Sequence, residues 1–161
     1  MKRMLILGMA VLTLGVSFSR ASPAENAVAG QEQADHAKEL QQLRPLADEG
    51  NAIAQFNLGV MYDVGRGVAQ DYAQAVHWYR LAAMQGHAAA QFNLGGMYAQ
   101  GQGLPQDFVR AHLWFNLAAV AGYAGAAKNR NSIARLMNPQ QIDEAQKMAR
   151  ACQQRNFNEC D

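Results

Sequence analysis

Ala54-Gln55-Phe56-Asn57-Leu58-Gly59 returns, residue for residue, as Ala90-Gln91-Phe92-Asn93-Leu94-Gly95. The offset of 36 also carries Met61-Tyr62 onto Met97-Tyr98, Gly65 and Gly67 onto Gly101 and Gly103, and Trp78 onto Trp114. Gln70-Asp71 becomes Gln106-Asp107 and Leu81-Ala82-Ala83 becomes Leu117-Ala118-Ala119. Over Gly50–Gln85 against Gly86–Ala121, 19 of 36 positions are identical with no gap. Self-similarity at such a period marks a repeat array, in which each unit buries its apolar face only against its neighbours.

Each unit reads as two helices. Ala54, Leu58, Met61 and Tyr62 fall at i, i+4, i+7 and i+8, the spacing of one helical face over about 52–62. Gly65 and Gly67 end that helix, because glycine adopts the backbone angles of a tight turn at little cost. Asp71 is the expected N-cap of the second helix, with Gln74 completing a capping box. Ala75, Trp78, Tyr79, Ala82 and Ala83 form its apolar stripe. Gly59 and the alanines let two helices approach closely, while Trp78 and Trp114 fill the space between successive units.

The flanks continue the phase. Leu43-Arg44-Pro45-Leu46-Ala47 aligns with Tyr79-Arg80-Leu81-Ala82-Ala83, so residues 35–49 form the second helix of a degenerate leading unit, with Pro45 awkwardly inside it. Residues 50–85 and 86–121 are the two full repeats. Residues 122–155 are a third, degenerate one: a first helix over 122–137, then a closing helix opened by Asn138-Pro139. On that closing helix Asp143 and Glu144 are placed in the first turn, where acids suit the helix dipole. Residues 156–161 are a tail and 25–34 a linker.

Residues 1–24 read as an export leader. Lys2 and Arg3 precede the largely apolar run Met4–Phe18, and small residues follow around Ala21 and Ala24, after either of which cleavage fits. Losing Lys2, Arg3 and Arg20 leaves 11 bases against 13 acids, a balance that gives no reason to expect nucleic acid. The charge is uneven: residues 25–75 hold eight acids and three bases, residues 76–161 five acids and eight bases. Both cysteines, Cys152 and Cys160, lie in the last ten residues. In an oxidising compartment they read as a disulfide, with a reduced reactive thiol as the alternative.

The Ala-x-Ala-Gln-Phe-Asn-Leu-Gly run, the Gly-x-Gly turn, the Gln-Asp pair and the Trp-aromatic step before Leu-Ala-Ala resemble the unit of the Sel-one-like repeat (SLR) family, relatives of the tetratricopeptide repeats. The resemblance spans about residues 40–155. It implies an all-α, right-handed α/α superhelix (solenoid) of tandem helix-turn-helix repeats with a capping C-terminal helix. It also implies an interaction scaffold of the cell envelope or secretory compartment, binding a protein or peptide in the concave groove. A purely structural partner using the convex face is a second possibility.

A cysteine-rich branch of the family is associated with penicillin binding and β-lactam hydrolysis, which makes a hydrolase of that kind the alternative function. That branch staples each repeat with its own cysteine pair, and this chain has no cysteine within 51–120. Past residue 24 there is no threonine and one serine, Ser132, in an S-x-x-R context where serine β-lactamases use S-x-x-K. His36, His77, His87 and His112 form no short ligand pair and read as helix-surface histidines. No catalytic residue, cofactor or metal is expected, nor a membrane anchor once the leader is removed.

By analogy with tetratricopeptide units, the first helices line the groove. That directs Ile53, Phe56, Asn57 and Val60 towards it, then Phe92 and Asn93, then Lys128, Asn129, Ser132 and Arg135. Phe56 and Phe92 would be exposed anchors, and Lys128 and Arg135 a basic end. Asn57, Asn93 and Asn129, at steps of 36, either hold a peptide backbone with their amides or bond the neighbouring helix. The leader reading carries its own check. The intact mass of protein exported in its native host should show an N-terminus at Ser22 or Glu25, and a chain beginning at Met1 would overturn it.

Overall fold

The computed structural model describes residues 22–157 and Cys160; the expected leader as far as Ala21 lies outside the described residues. Among the described residues seven helices follow one another: α1 (Pro23–Asp48), α2 (Ala52–Val64), α3 (Tyr72–Ala83), α4 (Ala88–Gln100), α5 (Phe108–Val120), α6 (Ala126–Ala134) and α7 (Pro139–Gln154). Each of the first five packs on the next, which is the neighbour-to-neighbour stacking of an all-α solenoid, and α7 returns past α6 to α5. Among the described residues no helix is long and apolar enough to cross a membrane.

The repeated polar residues are the joinery of the turns. Asn51 accepts from the Ala54 N–H at 3.0 Å to start α2, and Gly65, in the left-handed region, ends it. Gln70 Nε2 donates to the Asp63 carbonyl at 2.7 Å, satisfying an end-of-helix acceptor that the turn leaves open. Asp71 then caps α3 through the Gln74 N–H at 3.0 Å, while its own N–H donates to the Tyr62 carbonyl. The second unit repeats all of this with Gln106 on the Ala99 carbonyl and Asp107 on the Arg110 N–H. The full reciprocal capping box expected at Asp71 and Gln74 occurs instead at Asn138 and Gln141, opening α7.

Units are clipped together by a buried amide. Gln55 Nε2 donates to the Ala47 carbonyl of α1 at 3.1 Å, and Gln91 Nε2 to the Ala83 carbonyl of α3 at 3.2 Å. Around each clip lie alanines with almost no exposed surface, and over each first helix lies an aromatic ring of the second. A Cβ on Gly59 would fall 2.5 Å from Tyr79 Cδ1, and one on Gly95 2.9 Å from the Phe115 ring. Only glycine admits those rings. Trp78 packs with Ala47, Ala54, Leu58 and Met61 between α1, α2 and α3, under the guanidinium of Arg44. Trp114 joins the larger core shared by α3, α4, α5 and α7.

The ends differ from expectation. Residues 25–34 are not a linker but the first part of α1, whose described side chains from Ala27 to Asp35 are exposed. Ala, Glu and Gln in this stretch are strong helix formers, and α1 runs on through Pro45, which sits on the exposed side. His36 and Glu39 reach the Gly67 turn, where Arg66 lies 3.7 Å from Glu39.

The third first helix is nine residues, shorter than 122–137. Position 123 is the counterpart of the caps Asn51 and His87 but holds Tyr, which offers no acceptor to the first turn; Met137 stands where Gly65 and Gly101 end their helices. α7 starts at Pro139 with Asn138 as its cap, as expected, but Asp143 and Glu144 are its fifth and sixth residues and fall in its second turn, with Asp143 paired to Lys147 at 2.6 Å. Cys152 and Cys160 are bridged, with Cα atoms 4.8 Å apart. The chain reverses there through Asn156 and Phe157, both at positive φ.

The first clip has a second partner that the second lacks: Gln85 Nε2 donates to Gln55 Oε1 at 2.7 Å, whereas Gln91 Oε1 is buried without a partner and Ala121 stands at the matching position. Ala121→Gln should therefore raise stability by about 0.5–1.5 kcal/mol, and Gln85→Ala should lower it by about 1–3 kcal/mol. Urea midpoints of the two variants against the parent test both signs.

Candidate functional site

The expected groove residues sit on the first helices, and the structure divides them into two kinds. Ile53 is 64% exposed on α2, and Lys128 and Arg135 are exposed, one in the first turn of α6 and the other just past its end. Phe56, Asn57, Val60, Phe92, Asn93 and Asn129 are half-buried. Phe56 is no free anchor: its ring stacks on His87 with centroids 4.7 Å apart and lies 5.9 Å from Tyr79. Phe92 is held between Phe115 at 5.5 Å and Tyr123 at 4.8 Å. Both rings therefore bridge adjacent helices and offer only part of their surface. The reason is steric: the glycine one turn on draws in an aromatic of the second helix, and the phenylalanine covers its flank.

Between the repeats lies a polar network that the period alone does not reveal. The Tyr79 hydroxyl donates to Asp63 Oδ2 at 3.0 Å, and the Asn93 amide acts on the same hydroxyl. Burial, reinforced by the Asp63 carboxylate, raises the phenol far above its ordinary pKa, so it stays a donor at any physiological pH. One unit later Phe115 replaces Tyr79 and Ala99 replaces Asp63, so Asn129 meets no phenol there. Beside it opens a cavity of about 180 Å³, bounded by Asp63, Phe92, Asn93, Gly96, Phe115 and Asn129. The size suits a single inserted side chain. Asn93 thus serves the neighbouring helix, while Asn129 lines open space. The sequence signal that separates the two asparagines is the residue 14 positions before each, Tyr79 for Asn93 and Phe115 for Asn129.

A cavity of about 610 Å³ lies away from these residues, among Arg80, Tyr98, Leu104, Asp107, Arg110 and Trp114 beside Cys160. Arg80 donates to the Tyr98 hydroxyl at 2.8 Å there, and Arg110 pairs with Asp107 at 2.6 Å. Ser132 is exposed on α6. Among the described residues no group of three His, Cys, Asp or Glu side chains could hold a metal ion. Two histidines are not the helix-surface residues expected. His87 caps α4, its Nδ1 accepting from the Ala90 N–H at 3.2 Å, and His112 is only 3% exposed.

The family model of the Sel1 repeat matches residues 52–87 and 88–123. The two units are Sel1 repeats. Their matched bounds start at the first helices, two residues after the junctions expected at 50 and 86, on the same 36-residue period. Two solved structures are similar. One is a protective antigen present in uropathogenic Escherichia coli strains that displays an SLR fold, 32% identical with a TM-score of 0.75 over 85% of this chain. The other is a Sel1 repeat protein from Oxalobacter formigenes, 41% identical with a TM-score of 0.56 over 57% of this chain. This chain spans 30% of the former and 27% of the latter. Among curated proteins no match is found. Sel1-repeat proteins of this fold are typically non-catalytic interaction scaffolds.

The His87 cap has a pH consequence. Burial lowers its pKa below the ordinary histidine value, and a protonated Nδ1 could not accept the Ala90 N–H. The unfolded chain then binds more protons than the folded one, so stability is full above about pH 6.5 and falls as pH drops through and below it. His87→Asn keeps a capping acceptor, as at Asn51, without the titration. Its melting temperature should fall less steeply between about pH 7.5 and 5.5 than the parent's, with His112 supplying a residual slope of the same sign. An unchanged slope would exclude His87 as a titrating cap.

Proposed function

We propose that this protein is a non-catalytic scaffold of the cell envelope or secretory compartment that binds a protein or peptide along the concave face formed by its first helices. The carrying observation is the apolar stripe of α2: Ile53 and Val64, 64% and 61% exposed, flank the half-buried Val60 at i, i+7 and i+11. Exposed apolar residues aligned on one helix face and flanked by polar amides mark a contact surface. The side-chain-sized cavity beside Asn129 continues the same face, and Lys128 and Arg135, one stripe of the third unit, form its basic end. A fitting partner is an extended or helical segment with an apolar residue at one end and an acid at the other.

The compartment rests on the leader-like residues 1–24 and on the Cys152–Cys160 bridge, a bond that persists in oxidising surroundings. The scaffold reading also agrees with the SLR-fold neighbours.

The test is site-specific photocrosslinking in the native host. Benzoylphenylalanine at Ile53 or Val64 should give discrete adducts, and the same residue at exposed His77 or Gln74 of α3 should not. Ile53→Asp with Val64→Asp should abolish the adduct formed from a probe at Arg135 while leaving helicity intact. Adducts confined to α3 positions would move the interface to the second helices and overturn the concave-face reading.

A further inference from the structure

The third unit carries an arginine where the other two carry core leucine. Arg130 is the counterpart, at steps of 36, of Leu58 and Leu94, both without exposed surface. His112 stands where the first repeat has buried Val76. His112 is buried and Arg130 half-buried, and an imidazole and a guanidinium at these positions cost desolvation that valine and leucine do not.

These substitutions line a cavity of about 420 Å³ between α5, α6 and α7, walled by His112, Asn116, Arg130, Asn131, Gln146 and Arg150 and by no acidic residue. The guanidinium of Arg130 is held in place rather than neutralised. Its Nη1 donates to Asn116 Oδ1 at 2.9 Å, and its Nε and Nη2 to Asn131 Oδ1 at 3.2 and 3.1 Å. Neither Arg130 nor Arg150 has an acidic partner among the described residues. His112 is only 3% exposed, and its buried Nδ1 has no hydrogen-bond partner. Buried polar atoms are almost always satisfied, so an orphan beside a polar cavity asks for a ligand atom. Burial first, and the Arg130 charge second, hold this imidazole neutral, so it can donate from Nδ1 in one tautomer without adding charge.

We propose that this cavity is a binding site for the oxyanion of a small ligand, a carboxylate or a phosphate. Arg130 supplies a preoriented two-pronged donor, Arg150 a second positive charge at the rim, and His112 Nδ1 together with the Gln146 amide the remaining hydrogen bonds. Guanidinium forks match the geometry of both anions. The site is separate from the proposed partner surface: Lys128 and Arg135 share one stripe of the third unit, and Arg130 and Ala134 lie on the opposite one.

The experiment titrates inorganic phosphate, succinate and citrate into the oxidised full chain, monitored by calorimetry and by the His112 imidazole resonances. Saturable binding is expected with at least one probe, weakening as chloride rises. Phosphate alone, or the carboxylates alone, identifies the source of the oxyanion. Arg130→Leu, which restores the residue of the first two units, should keep the melting temperature and weaken binding by roughly tenfold or more, as loss of a charged hydrogen-bond donor does. Arg150→Gln, at an exposed position, should weaken it by about threefold. Should Arg130→Leu fail to fold, Arg150→Gln and the His112 resonances still decide. No shift of His112 with any probe at tens of millimolar, or binding indifferent to both substitutions, overturns the proposal.

Discussion

A buried glutamine amide holding a carbonyl in the last turn of the preceding helix is the contact on which the array is built. Alanine-on-alanine packing brings helices close but is nearly indifferent to sliding, since small side chains present no ridge deep enough to fix one position. The bond from Gln55 to the Ala47 carbonyl, and from Gln91 to the Ala83 carbonyl, is directional and shielded from water, so it fixes where each unit starts against the one before. Everything else is set from that start. Gly59 and Gly95 come to lie beneath Tyr79 and Phe115, and the Gln-Asp pairs at 70–71 and 106–107 close the turns.

The two full units are readable because every repeated residue has a local duty. Caps, turn glycines and apolar stripes act within a few residues of themselves, and their chemistry survives in the bare order of letters. The third unit is harder because its departures are single substitutions with consequences several residues away. Tyr123 in place of Asn or His removes a cap and delays α6, which begins at Ala126 and ends at Ala134 rather than spanning 122–137. The helical nature of residues 25–34 escapes a reading by pattern because that stretch has no apolar stripe; its helix comes from composition instead.

The surface is less legible than the fold, for a related reason. Periodicity places Phe56 and Phe92 on the first-helix face, but which part of a ring is covered depends on the aromatic that leans in from the next helix. His87 and His112 carry no short-range signature either. One acts as a cap by replacing asparagine, the other is buried by replacing valine, and each is visible only when the units are laid over one another. Function in a repeat protein is therefore sought in its exceptions. Tyr79 against Phe115, Leu94 against Arg130 and Gln85 against Ala121 are places where equal geometry meets unequal chemistry.

Helix α6 has an unusual standing in this scheme. It is nine residues long, lacks a side-chain cap, and buries only Ala126 fully. It leans on α5, while α7 packs on α5 and barely touches it. Backbone amides exchange with solvent through the cheapest opening available, and the cost of an opening tracks the apolar contact that must be broken. Within the second half of the molecule, opening therefore begins at α6 rather than at the tail: α6 can open and refold while the disulfide-tied α7 stays docked on α5. A solenoid usually frays inwards from its end. This one has a short, uncapped helix one step short of the end, behind a closing helix that is pinned.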